Sequence, residues 1–229
     1  MSQIEEAKKV AKLFLYMDME PTAYTPIVVQ HPFFESAFLC DNDGVFNALE
    51  DEERYYKYLQ MYSIKLDSLT DIQSLLSFVR KSYRLTYLKF LVDRKVITIK
   101  ECGNLLARAW DLIECLHFDT NVSKNTVLKW IKSADKNVLM DVREQAVYNA
   151  FGDIVTIYRG CKDIDSAKAI SWTLSLETAQ WFAIRFNNGY KVFTAKIEKK
   201  HIIGYLARRN EQEVLVDYKY LQDIKEYEM

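Results

Sequence analysis

The sequence is poor in the residues that break or staple a chain. Six glycines and three prolines in 229 residues leave little material for a linker or a low-complexity tail. An apolar share of 49%, with 14% aromatics, is the composition of a globular protein that buries a core. At this length the chain can form one large domain or two small ones. Cysteine and histidine are scarce and scattered. Cys40, Cys102, Cys115 and Cys161 include no CxxC pair, and His31, His117 and His201 lie far apart. Those spacings argue against zinc, so no metal is expected. A net charge of −1 argues against a protein that coats nucleic acid or adheres to membranes along its whole surface, and leaves room for local patches. No charged-then-apolar leader opens the chain, and no apolar run approaches the ~18 residues of a membrane helix. A soluble protein of a reducing compartment is the expectation, with no membrane partner.

The chain changes character near residue 150. Before it, apolar spacing is helical. Residues 2–17 set Ile4, Ala7, Val10, Ala11, Phe14 and Leu15 on one stripe. Glu50–Met61, the stretch DIQSLLSFVRKSYRLTYLKFLVDRK and the run IKECGNLLARAWDLIECLHF continue the pattern, with Asp71 and Thr98 as caps of the latter two. Asn121–Ser133 and Asp141–Ala150 predict two more helices, Asp141 being an N-cap. MEPTAYTPIVVQHPFF, with all three prolines, reads as an extended connection with a short strand at best.

After residue 150 the pattern alternates. Asp153–Arg159 is β-branched and aromatic, hence a strand, and Ala167–Ser171 is a weaker strand candidate. Ser175 caps a helix reading LETAQWFAIRF, whose Trp181, Phe182 and Phe186 read as core residues. Asn187-Asn188-Gly189 is a turn signal, Tyr190–Ile197 is a strand, and His201–Leu206 is ambiguous. Glu211–Asp217 reads as a strand, and 218–229 as a charged, aromatic tail. The expected class is α+β, with a mainly helical region over 1–150 and a β-rich region over 151–229.

Three motifs in the second region carry chemistry. In DIVTIYRG, Val155, Ile157 and Arg159 share a face, and an arginine that continues an apolar face is expensive to desolvate unless an anion meets it. Its forked donors suit a carboxylate or a phosphate; an internal acid or water would serve equally. Gly160 lets the backbone approach a ligand closely and also suits a tight turn. Ser171 and Thr173, two apart on an extended piece, put two hydroxyls on one face, where they can orient a carboxylate or simply end a strand before a capped helix. In RRNEQEVLVD, Glu211 and Glu213 precede the run Val214-Leu215-Val216. On a strand they share a face with Leu215, and like charges held that close raise each other's cost of ionising. Either water screens the pair at a strand end, or the pair has a job.

In this order, aromatic-Arg-Gly, then Ser-x-Thr before ETAQWFA, then Glu-x-Glu opening an apolar strand, the motifs resemble the arginine–serine–glutamate (R-S-E) class of mono-ADP-ribosyltransferases. The match covers roughly 153–217. HPFFES at 31–36 and ISWTLSLETAQWFA look like the phage- or bacterium-borne, toxin-like relatives. The resemblance implies an ADP-ribosyltransferase-like sheet at the C-terminal end, behind a helical region that covers the core and is a candidate for target recognition. It implies an enzyme that cleaves NAD⁺, its co-substrate, between nicotinamide and ribose and passes ADP-ribose to a macromolecule. By the match, Glu213 stabilises the oxocarbenium-like transition state, and Glu211 orients or deprotonates the acceptor. Ser171 fixes Glu213 with Thr173 in support, Arg159 holds NAD⁺, and the Gly160 backbone bonds the nicotinamide amide. Trp172 stands where better-known toxins often have a small hydroxyl residue, and the β-rich stretch is short for a complete transferase core.

Within the family a glutamate at the position of Glu211 goes with guanidinium acceptors, which favours protein arginine. Arg208 and Arg209 before the motif, with Lys199 and Lys200 upstream, form a basic edge that could instead greet RNA or DNA, and Tyr205, Tyr218 and Tyr220 could stack on bases. Tyr205 is also the candidate for the family's acceptor-loop aromatic. The setting implied is the cytoplasm of a bacterial host: a phage effector, a toxin held by an antitoxin or inhibitor protein, or a regulator. The contrasting expectation is a catalytically idle relative that binds NAD or a partner.

Overall fold

In the computed structural model, residues 2–113, 121–185 and 191–228 are described. Two compact units emerge, Met1–Leu105 with Leu112–Ser123, and Leu106–Asp111 with Lys124–Met229. Strands of the larger sheet do begin after residue 150, but their unit also takes in the preceding helices.

The first unit opens with α1 (Gln3–Leu15), capped by the Ser2 hydroxyl on the Glu5 N–H, and it buries Ala7, Val10, Ala11, Phe14 and Leu15 as their spacing requires. The proline-bearing connection is more ordered than expected. It forms an antiparallel hairpin, β1 (Glu20–Thr22) with β2 (Thr25–Gln30), and a second hairpin follows, β3 (Phe38–Asp41) with β4 (Gly44–Asn47). Pro21 and Pro26 are tolerated because a two-stranded ribbon has only edges. Next come α2 (Glu52–Ser68), α3 (Ile72–Phe78), α4 (Arg84–Asp93) and α5 (Ile99–Ala109), whose residues from Leu106 onward belong to the second unit. Asp71 caps α3 on the Ser74 N–H, and Thr98 with Glu101 closes a capping box at α5. Arg84, buried, donates to the carbonyls of Leu76, Ser77 and Val79, which closes the end of α3.

In the second unit α6 (Lys124–Ser133), α7 (Lys136–Leu139) and α8 (Val142–Asn149) precede the sheet, and Asp141 with Glu144 forms a full capping box on α8. Then come β5 (Ile154–Cys161), α9 (Ile164–Ala167), β6 (Ser171–Thr173), α10 (Leu176–Arg185), β7 (Lys191–Glu198), β8 (Ile202–Leu206), β9 (Glu213–Val216) and β10 (Gln222–Glu226). They build a six-stranded sheet in the order β10-β7-β5-β6-β9-β8, antiparallel at every pairing. The unit is therefore mixed α and β, as its sequence reads.

Several expectations are corrected. The stretch 167–171 is not a strand: Asp163 caps the short helix α9, and only Ser171–Thr173 is extended. The tail, read only as charged and aromatic, carries a strand that the reading did not mark: 222–226 pairs with β7 as an edge strand. Glu211 lies outside its strand, which starts at Glu213. Trp181 is 52% exposed, its ring edge-on to Phe182 and covered by Arg185, so it is no core residue. Phe186, the Asn187-Asn188-Gly189 turn, the start of its strand at Tyr190, Cys115 and His117 lie outside the described residues.

Candidate functional site

β5 alternates as a strand must. Ile157, Arg159 and Cys161 point to one side; Tyr158 and Gly160 point to the other, against α10. Ala179 and Ala183 are buried there with Val192, and Tyr158, Leu176 and Tyr227 pack on them. A β-carbon at Gly160 would lie 2.2 Å from the Ala179 carbonyl oxygen and 2.5 Å from the Ala183 nitrogen. Close approach does explain this glycine, but what approaches is the backbone of α10.

On the other side Arg159 extends the apolar face, and protein carbonyls meet it. Its Nε donates to the Ser166 oxygen at 3.3 Å, and Nη1 to the Ser171 oxygen at 2.5 Å. Lys124 shares this positive neighbourhood. Its ammonium donates to the Lys168 carbonyl and lies 4.3 Å from the centre of the Tyr218 ring. Burial pushes this lysine below the usual range, and the charges of Arg159 and Lys168 push the same way.

Ser171 connects the arginine to the acid. β6 and β9 pair with Ser171 opposite Leu215 and Thr173 opposite Glu213. From there the Ser171 hydroxyl donates to Glu213 Oε1 at 2.5 Å. The same oxygen accepts a second bond, 3.0 Å long, from the indole N–H of Trp110. Trp110 is buried in the 3-10 turn Trp110–Leu112 that follows α5. Burial raises the Glu213 carboxyl above its ordinary range; the two donors pull it down, and the negative charges of Glu211 and Asp111 push it up again.

Glu211 reaches Glu213 by a different route from simple alternation. Arg209, Asn210 and Gln212 all take left-handed φ values, 57°, 58° and 47°. None is a glycine, so the segment carries backbone strain. Two bonds from β6 and its end hold it: Thr173 Oγ1 donates to the Glu211 carbonyl at 2.7 Å, and the Leu174 N–H donates to the Gln212 carbonyl at 3.1 Å. Thr173 is buried and also accepts from the Ser175 N–H, so it orders the Glu211 turn and the entry to α10. Burial raises the Glu211 carboxyl, opposed by Arg209 and reinforced by Asp111.

Arg159, Ser171, Glu213 and Glu211 are thus brought together, and Thr173 and Gly160 support them from within the fold. The basic and aromatic positions do not join them as expected. The Arg208 guanidinium turns inward, donating to the carbonyls of Ala107 at 3.1 Å and Leu139 at 3.0 Å and pairing with Asp111 at 3.5 Å. Tyr205 is a buried residue of β8, edge-on to Phe151. Of these positions Arg209, Lys200 and Tyr220 keep exposed side chains. Among the described residues no group of three or more histidines, cysteines and acids could hold a metal ion. A cavity in the same unit, lined by Lys132, Lys136, His201 and Asp217 among others, includes none of the motif residues.

Two neighbours of Glu213 escape the sequence reading, Trp110 and Asp111. The only signal in the sequence is general: a buried tryptophan needs a partner for its N–H, but its helical spacing marks it as core. No helix among the described residues is long and apolar enough to cross a membrane. Compared with protein-family models, curated proteins and solved structures, the chain matches none of them.

Proposed function

We propose that the protein is a mono-ADP-ribosyltransferase of the R-S-E class. What carries the reading is the hydrogen-bonded path Arg159 to Ser171 to Glu213, which joins three motifs from separate strands at one place. NAD⁺ is the co-substrate. Its C–N bond between nicotinamide and ribose breaks, the bonding pair leaves with nicotinamide, and positive charge develops on the ribose. Glu213, ionised, faces that charge. The acceptor then donates an electron pair to the ribose C1 and passes its proton to Glu211, whose raised affinity for protons suits a base. The electropositive surroundings of Arg159, Lys124 and Lys168 suit the diphosphate.

Among acceptors, protein arginine is favoured. The edge read as nucleic-acid-facing loses Arg208 to internal bonds, Lys199 to the carbonyls of Asn149 and Phe151, and Tyr205 to the core. Tyr220 stacks on His201 at 3.6 Å. A toxin or phage effector acting in a bacterial cytoplasm, with an inhibitor protein to restrain it, fits this activity. A second reading, a module that binds NAD⁺ or a partner without transfer, draws on one observation: Arg159 already spends two donors on carbonyls of its own chain. Incubation with labelled NAD⁺ and bacterial lysate separates the readings. Transfer predicts label that protease removes and nuclease does not, and its loss by more than a hundredfold in Glu213→Gln. A Glu213→Gln protein that labels as well as its parent ends the transferase assignment; label released by nuclease moves the acceptor to nucleic acid.

A further inference from the structure

Glu213 takes both of its hydrogen bonds on one oxygen, and among the described residues no donor reaches Oε2. The second donor comes from outside the three motifs. Trp110 follows α5, and its turn is fastened by a residue whose charge looked free in the sequence. Arg208 holds the Ala107 carbonyl and the Asp111 carboxylate, which flank the tryptophan, and also the Leu139 carbonyl. The indole has one donor and little freedom once its rings are buried, so the direction of its N–H is set by that clamp.

We propose that Trp110 is a positioning residue for Glu213: its indole N–H and the Ser171 hydroxyl pin Oε1, leaving Oε2 as the oxygen that meets the ligand, and Arg208 holds the turn that aims the indole. A neutral donor to a carboxylate favours the ionised form. Three acids converge here, Glu211, Glu213 and Asp111, so without such donors Glu213 would keep its proton to higher pH. The acids that face Glu213 are Glu211 and Asp111; Arg209 and Arg185 act on Glu211, and Arg208 pairs with Asp111. The role of Oε2 rests on the transferase reading; the pinning of Oε1 does not.

The test titrates the carboxylate directly. The full chain, labelled with ¹³C at glutamate side-chain carboxyls, is followed by NMR across pH, and the Glu213 signal is assigned by its loss in Glu213→Gln. In Trp110→Phe, which keeps an aromatic and removes the N–H, the Glu213 midpoint moves to higher pH. Replacement of Trp110 by 3-benzothienylalanine, which keeps the two-ring shape and replaces N–H by sulfur, gives the same displacement if the phenylalanine variant misfolds. A midpoint that stays put, or moves lower, in the sulfur-containing variant overturns the proposal. Nicotinamide release is measured separately on the same proteins. A parent that releases none refutes the transferase reading and leaves the titration to decide the role of Trp110. An active parent adds a second requirement, that kcat falls about tenfold at neutral pH with the KM for NAD⁺ within about twofold.

Discussion

Glu213 accepts two hydrogen bonds while burial and two neighbouring carboxylates work against its charge. The balance leaves its proton affinity raised, and the sign of the consequence for stability follows. A carboxyl whose folded-state pKa lies above the unfolded value gives most to stability below that unfolded value, and the contribution is lost as pH rises through the folded pKa. At neutral pH the raised carboxyl therefore weighs on the fold. Glu213→Gln keeps an oxygen to accept from Ser171 and Trp110 and removes the charge. It is expected to raise the unfolding temperature at pH 7 by about 2–4 °C, on the order of 1 kcal/mol, while abolishing transfer. Calorimetry of parent and variant at pH 7 and pH 4.5 checks it, the difference shrinking at the lower pH. A variant less stable than its parent at pH 7 would mean that the carboxylate holds the fold together. Residues of this kind were legible as types. Arg159, Ser171 and Glu213 stand out by order and spacing, whereas Trp110 lies 103 positions from its partner and only tertiary structure brings the two together.

Among the elements, the helices were read best because their ends are local chemistry. Ser2, Asp71, Thr98, Asp141 and Ser175 each accept from a backbone N–H of the helix they begin. Strands were read where they alternate over several residues, as in β5 and β7, and missed where pairing is short or lies at an edge, as in β3, β4 and β10. The turn at 209–212 was hidden because no glycine announces its left-handed backbone. Gly160 was visible as a glycine, but its neighbour was misread. If its purpose is to let α10 pack on β5, Gly160→Ala puts a methyl group into two backbone atoms that cannot swing aside. Overpacking of this type costs about 1–3 kcal/mol or more. The expected result is an unfolding midpoint lowered by that amount in urea, with or without NAD⁺ present. Unchanged stability with weakened NAD⁺ binding would return the glycine to the ligand.

At the scale of the whole molecule, the change of pattern near residue 150 located the onset of the sheet, but not the compact unit around it, which takes in 106–111 and the helices after Lys124. Contact between segments distant in sequence, the property that defines such a unit, leaves no local mark. Buried groups in the two units also bear on acid stability in opposite senses. In the first, His31 is fully buried, its ring stacked at 4.6 Å on Phe34, and its Nδ1 accepts from the backbone N–H groups of Phe33 and Phe34. A proton on Nδ1 would displace both, and burial pushes the imidazole down to about 4. A lowered histidine stabilises the fold fully above its unfolded value of 6.5, and that stability is lost as pH falls toward 4. The span corresponds to about 3 kcal/mol at most. In the second unit the raised carboxyls of Glu211 and Glu213 act oppositely, becoming protonated and less costly over part of the same range. Urea midpoints from pH 7.5 to pH 4 separate the two. In His31→Asn the amide oxygen can accept from the same N–H groups without titrating, so the variant is weaker at pH 7 for want of the ring and loses less on acidification. Glu213→Gln, lacking a group that is relieved by acid, loses more than its parent. If His31→Asn falls as steeply as the parent, the acid sensitivity belongs to another group and the buried imidazole serves packing alone.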